Sequence, residues 1–187
     1  MVNRKQARVE NIDEKHQLFM SLYVPVQKQV SNYCRALAGN EFDTNDLMQD
    51  TLLQAFERFD SLKQHALFKF YLCGIARNIY LNSRRRLKFW TDIEKSGAEH
   101  MHCTLPTAEV SLEVQQLYTA MAKLKFEYRE ALVMAEIMGF SLQEIQQHQG
   151  GSLSGVKSRV ARAKQQLSQL LTEIKPVVHT QLQTNTL

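Results

Sequence analysis

Apolar residues recur at steps of three and four along most of the chain, the signature of helices with one buried stripe. Over 16–37 the stripe runs Leu18, Leu22, Val26, Val30, Tyr33 and Leu37, with Pro25 placed to kink or interrupt the helix. Ala38, Gly39 and Asn40 then supply a stop. Asp43, Thr44 and Asn45 offer cap residues for a second helix reaching about Phe59, with Leu47, Thr51, Leu52, Ala55, Phe56 and Phe59 inward. At about 100° per residue, Asp46, Gln49, Asp50, Leu53 and Glu57 gather on its opposite side. After a short connection over 60–67, a third helix is predicted from about Phe68 to Leu87, turning Phe68, Leu72, Ile75 and Ile79 inward.

The periodicity fails over 90–107, where Ser96, Gly97 and Pro106 mark irregular chain. At about 3.3–3.6 Å per residue such a linker reaches roughly 60 Å. It predicts an all-α protein of two helical domains, 1–89 and 108–175, with a polar, frayed tail at 176–187. In the second domain, helices are expected over 108–123, 126–138, 141–147 and 153–172. Gly139 gives a turn, and Ser141 with Glu144 three residues on gives a capping box. Gly150 and Gly151 separate the short helix from a longer basic one, which is the helix-turn-helix pattern.

Composition narrows the class. The chain has 187 residues, 44% of them hydrophobic, with only 7 Gly and 3 Pro, so a packed helical core fits better than a turn-rich β fold. No run of about 18 apolar residues is available to span a membrane, and the polar N-terminal stretch predicts no secretory signal. Cys34, Cys73 and Cys103 are odd in number and widely spaced, which makes a reducing cytosol the simplest setting. No phosphate-binding glycine loop, nucleophile elbow or paired-His motif is present, so neither catalytic residues nor a cofactor is expected. His100, His102 and Cys103 lack a fourth partner for a closed metal site and read as linker.

The net charge of +4 matters less than its distribution. From 61 to 91 there are seven basic residues and no acid: Lys63, Lys69, Arg77, Arg84, Arg85, Arg86 and Lys88. From 145 to 172 there are four, again with no acid: Lys157, Arg159, Arg162 and Lys164. Between 41 and 60 the balance inverts, with Glu41, Asp43, Asp46, Asp50, Glu57 and Asp60 around a single Arg58. Two basic segments and one acidic segment imply a polyanionic partner and a separate cationic one.

The last helix has the layout of one laid in a major groove. Val156, Val160, Ala163, Leu167 and Leu170 form its apolar stripe. Ser154, Ser158, Arg162 and Gln165 lie opposite, where short donors and an arginine can reach base edges. Lys157, Arg159 and Lys164 flank that face at positions suited to phosphates.

The stretches DLMQDT at 46–51, AFERF at 55–59, FKFYLCGIARN at 68–78 and RRR at 84–86 strongly resemble region 2 of bacterial extracytoplasmic-function sigma factors. Leu124, REA at 129–131, GFS at 139–141, EI at 144–145, GVKSR at 155–159 and RA at 162–163 resemble their region 4. The resemblance implies a protein that joins core RNA polymerase, through its clamp helices and flap, recognises both promoter elements and helps open the duplex. It implies polymerase docking by Asp46, Gln49, Asp50 and Leu53. It implies capture of an unstacked base of the proximal element by loop 62–67 and Asn78, with Phe68, Phe70 and Tyr71 nearby for stacking. Lys63, Lys69, Arg77, Arg84, Arg85 and Arg86 would neutralise phosphates. An inhibitory anti-sigma partner is implied by the resemblance alone. The sequence departs from the family pattern at Tyr71, where tryptophan is usual, at Lys125, where proline is usual, and at Gln146, where helix-turn-helix motifs favour a small residue. Two other functions fit the helix-turn-helix or the charge alone: a one-component regulator acting without polymerase, and a helical interaction protein. The acidic face at 46–53 favours the polymerase-binding function over the first.

Overall fold

The computed structural model describes residues 4–39, 41–93 and 111–182, and no strand occurs among them. Helix α1 (Arg4–Tyr23) passes through a 3₁₀ turn at Val24–Val26 into α2 (Gln27–Ala38). Pro25 lies in that turn, where its missing N–H and fixed φ suit the break. Next come α3 (Glu41–Glu57), 3₁₀ turns at Phe59–Ser61 and His65–Leu67, and α4 (Phe68–Ile93). The rest is α5 (Leu112–Ala122), α6 (Phe126–Glu136), α7 (Leu142–Gln149) and α8 (Leu153–Leu182). The linker expected over 90–107 lies outside the described residues, except for 90–93, which belong to α4. His100, His102 and Cys103 also lie outside them.

Several boundaries differ from the sequence pattern for local reasons. Asp43, Thr44 and Asn45 are inside α3 rather than capping it, and Thr44 is buried. Helix α8 runs through Pro176 to Leu182 instead of ending near 172. The apolar spacing does continue past that point, at Ile174, Val177 and Val178. Among the residues of α1 from 12 onward, Phe19 and Tyr23 are buried, whereas Leu18 is exposed. Leu18 and Leu22 precede the 3₁₀ turn at Val24–Val26 and Val30 follows it, so one α-helical period does not carry the stripe across the break.

The chain forms two compact units, with the boundary inside α2: residues 1–31 with 45–96, and residues 32–44 with 97–187. The first unit is centred on an aromatic cluster. The Phe19 ring meets Phe56, Phe59 and Phe68 edge-on at 5.4, 5.3 and 5.2 Å between centroids. T-shaped pairs of this kind add about 0.5–1.5 kcal/mol each beyond the area they bury. Leu72, Cys73 and Ala76 of α4 and Thr51 and Ala55 of α3 are fully buried. Lys15 spans the rim, its ammonium 5.1 Å from the Phe56 centroid and 2.7 Å from the Asp60 carboxylate.

The second unit wraps a polar centre in apolar residues. Met134, Met138, Ile145 and Val156 have no exposed surface. Neither has Glu130 of α6, whose carboxyl meets three side chains from two other helices. The Tyr33 hydroxyl donates to Oε1 at 2.9 Å, His148 Nε2 lies 3.2 Å from the same oxygen, and Gln149 Nε2 donates to Oε2 at 2.8 Å. A buried carboxyl group is tolerated only when hydrogen bonded in this way. Next to it, Arg129 donates to the carbonyls of Leu37, at the end of α2, and Ala122, at the end of α5. One guanidinium thus complements the negative ends of two helix dipoles. Arg35 lies over the Tyr118 ring, 4.6 Å from its centroid.

Tyr33→Phe keeps the ring and removes one of the donors to Glu130. It is expected to cost about 1–3 kcal/mol of stability, read as a lower urea midpoint at constant slope. An unchanged midpoint would show that the carboxyl is satisfied without this hydroxyl.

Candidate polymerase and nucleic-acid surfaces

In the first unit α3 is two-sided. Leu47, Thr51 and Ala55 are buried, and the Thr51 hydroxyl returns to the Leu47 carbonyl at 2.6 Å. Asp46, Gln49 and Asp50 are exposed on the other side, with Leu53 beside them at 61% exposure. Among the described residues no ion pair engages either aspartate. An unneutralised acidic strip around an exposed leucine can receive a basic, partly apolar partner surface.

The cations foreseen before and along α4 divide in two. Lys63, Arg84, Arg85 and Arg86 are exposed, as is Asn78, and Asn78 and Arg85 share a face seven residues apart. Lys69 and Arg77 are half-buried and already make contacts of their own. The aromatics named from sequence are mostly structural. Phe68 is buried in the cluster, and Tyr71 donates to the Ala55 carbonyl at 3.1 Å. Burial raises the Tyr71 phenol above its ordinary value, with Arg58 opposing. Phe70 is half-buried. The exposed ring of the loop is His65, stacked on Phe59 at 5.7 Å with 9° between planes. No periodicity in the chain marks a histidine in a 3₁₀ turn.

In the second unit the helix-turn-helix is built as the residues require. The Ser141 and Glu144 capping box starts α7. The Ser152 hydroxyl accepts from the Gly155 N–H at 3.1 Å and caps α8. The turn between them places Gly150 and Gly151 at φ of 77° and 89°, a region other residues rarely enter. Gln146 Nε2 donates to the Gly151 carbonyl at 2.9 Å, and Arg159 Nη2 to the Gly150 carbonyl at 2.8 Å. The unusual Gln146 therefore braces an unusual Gly-Gly turn.

On α8, Val156, Val160 and Ala163 are buried, and Ser154, Lys157, Ser158, Ala161, Arg162 and Gln165 are exposed. The four cations differ in their surroundings. Arg159 is half-buried and bound to the turn. Lys164 pairs with Glu136 at 2.7 Å. Arg162 Nη1 donates to the Tyr128 hydroxyl at 3.3 Å. Lys157 makes no ion pair among the described residues. Ser154 lies 3.1 Å from Ser152 through their hydroxyls.

Among the described residues no group of three or more His, Cys, Asp or Glu is placed to hold a metal, and no helix is long and apolar enough to cross a membrane.

Comparison with known proteins accounts for both units. The chain matches the family models for Sigma-70 region 2 over residues 22–89 and Sigma-70, region 4 over residues 114–167. It is 33% identical over 137 residues to the ECF RNA polymerase sigma factor EcfG of Rhodopseudomonas palustris, covering 73% of this chain and 75% of that one. It is 25% identical over 186 residues to the ECF RNA polymerase sigma factor SigW of Bacillus subtilis, covering 93% and 98%. Among solved structures it resembles the sigma factor RpoE of Bartonella quintana, crystallised with the anti-sigma factor NepR. That match has a TM-score of 0.71 at 28% identity, over 82% of this chain and 96% of that one. With matches to both regions in the family's order, the chain belongs to the ECF RNA polymerase sigma factors and confers promoter specificity on RNA polymerase.

Proposed function

We propose the following division of labour for this sigma factor. The α3 face of Asp46, Gln49, Asp50 and Leu53 docks on core polymerase, with the carboxylates meeting basic groups and Leu53 an apolar one. Residues 62–67, Asn78 and the cations of α4 engage the proximal promoter element and assist strand opening. Helix α8 lies in the major groove of the distal element, with Ser154, Ser158 and Arg162 toward the bases and Lys157 toward phosphate. Arg159 keeps the Gly150 carbonyl and holds the reading helix to its turn. The observation that carries this reading is the two-sidedness of α3 and of α8 over 153–172: each buries one stripe and leaves a face of one charge sign exposed.

The chain works in the cytoplasm, where its template is, and has no catalytic chemistry of its own. Polymerase supplies the bond-forming step. The likeness to RpoE, which was crystallised with an anti-sigma factor, supports a similar inhibitory partner here.

The direct test is run-off transcription by reconstituted holoenzyme on a randomised promoter library. A new set of start sites should depend on this chain, and start sites identical with and without it would refute the reading. Asp46→Lys with Asp50→Lys should abolish capture of core polymerase while leaving the far-UV circular dichroism unchanged, because both side chains are exposed. Replacing Arg84, Arg85 and Arg86 by Ala should flatten the salt dependence of promoter binding. Each lost phosphate contact removes about 0.9 from the slope of log K against log salt on duplex DNA. An unchanged slope would place the triplet away from DNA.

A further inference from the structure

We infer that Tyr128 is a positioning residue for promoter recognition, holding the Arg162 guanidinium over the face of α8 that reads bases. The inference rests on the proposed seating of α8 in the major groove and adds a determinant from outside that helix.

Arg162 lies in one row with Ser154 and Ser158, at steps of four along α8, and all three are exposed. A long side chain at such a position is flexible, and aiming it at one base costs conformational entropy. Tyr128 reduces that freedom. Its half-buried ring packs against the cluster of Leu124, Leu132 and Ala163, which limits the directions its hydroxyl can take. That hydroxyl accepts from Arg162 Nη1 at 3.3 Å.

The bond uses one of the five N–H donors of the guanidinium. It leaves the edge formed by Nε and Nη2 intact for a bidentate contact with guanine O6 and N7. The Tyr128 hydroxyl keeps its own proton and can donate it outward. The hydrogen bond from Arg162 lowers the phenol below its ordinary value, and the charges of Arg162 and Lys125 act in the same direction. Burial and the Glu127 carboxylate oppose them, so two cations, Arg162 and Lys125, face one anion beside this hydroxyl. The neighbouring cations have other duties, since Arg159 braces the Gly-Gly turn and Lys164 pairs with Glu136. Arg162 is the guanidinium of α8 held at the exposed face by a group packed against the apolar cluster.

The test compares holoenzymes carrying wild-type chain, Arg162→Ala, Tyr128→Phe and the double substitution, each selecting from DNA randomised over the distal element. Phenylalanine keeps the ring and its packing, so the thermal midpoint should not move. Arg162→Ala should relax preference at one base position. Tyr128→Phe should relax the same position by on the order of three- to tenfold, the worth of one ordinary hydrogen bond, while binding to unrelated DNA stays within about twofold. In the Arg162→Ala background, Tyr128→Phe should add nothing.

If Arg162→Ala relaxes a position and Tyr128→Phe does not, the inference fails and the seating of α8 survives. If Tyr128→Phe weakens all sequences alike, or acts equally with and without Arg162, it is a structural or phosphate-binding residue and the inference fails. If Arg162→Ala leaves every base preference unchanged, the seating of α8 fails and the inference with it.

Discussion

The second unit depends on satisfying one buried carboxyl group. Glu130 has no exposed surface, so every hydrogen bond it would make to water must come from protein. Tyr33, His148 and Gln149 supply them, and that requirement ties 32–44, α6 and α7 to common positions. An apolar core tolerates small shifts, whereas an isolated buried carboxyl does not, because losing a partner exposes the full cost of desolvation. Arg129 extends the constraint by binding the carbonyl ends of α2 and α5. Helix α7, whose end carries His148 and Gln149, is thereby registered against α6. The Gly-Gly turn braced by Gln146 and Arg159 then sets where α8 begins.

Burial on one side leaves the other side free to carry charge. In α3 the stripe of Leu47, Thr51 and Ala55 fixes the rotation of the helix, and that rotation turns Asp46, Gln49, Asp50 and Leu53 outward as a group. In α8, Val156, Val160 and Ala163 do the same for Ser154, Ser158 and Arg162. The same residue spacing therefore specifies both the fold and the surface. The two faces carry opposite signs, which suits a protein that must bind another protein and a polyanion at once.

Much of this was legible in the chain itself. The helices, the interruption at Pro25, the capping box at Ser141 and Glu144 and the helix-turn-helix all follow from local spacing and turn chemistry. So does the exposure of Asp46, Gln49, Asp50, Leu53 and Arg162. The inward stripe of the first helix was legible only in part, because the 3₁₀ turn at Val24–Val26 breaks the period, and Leu18 fell outside while Phe19 and Tyr23 packed. The end of α8 was misplaced because a proline and a polar tail read as a stop. The aromatics near the proximal-element loop were legible in part. Periodicity turned Phe68 inward, whereas a ring at 71 serves core or ligand equally well in a pattern, and only the tertiary structure set its hydrogen bond to the Ala55 carbonyl.

Periodicity and composition determined which residues share a helix face and which faces are charged, since both are properties of neighbours within one or two turns. Tertiary structure alone decided which polar side chains meet across long stretches of chain. Tyr33 and Glu130 are 97 residues apart, and Tyr128 and Arg162 are 34 apart. A hydrogen bond needs its atoms placed to within a few tenths of an ångström, and spacing along the chain does not encode that placement across such separations.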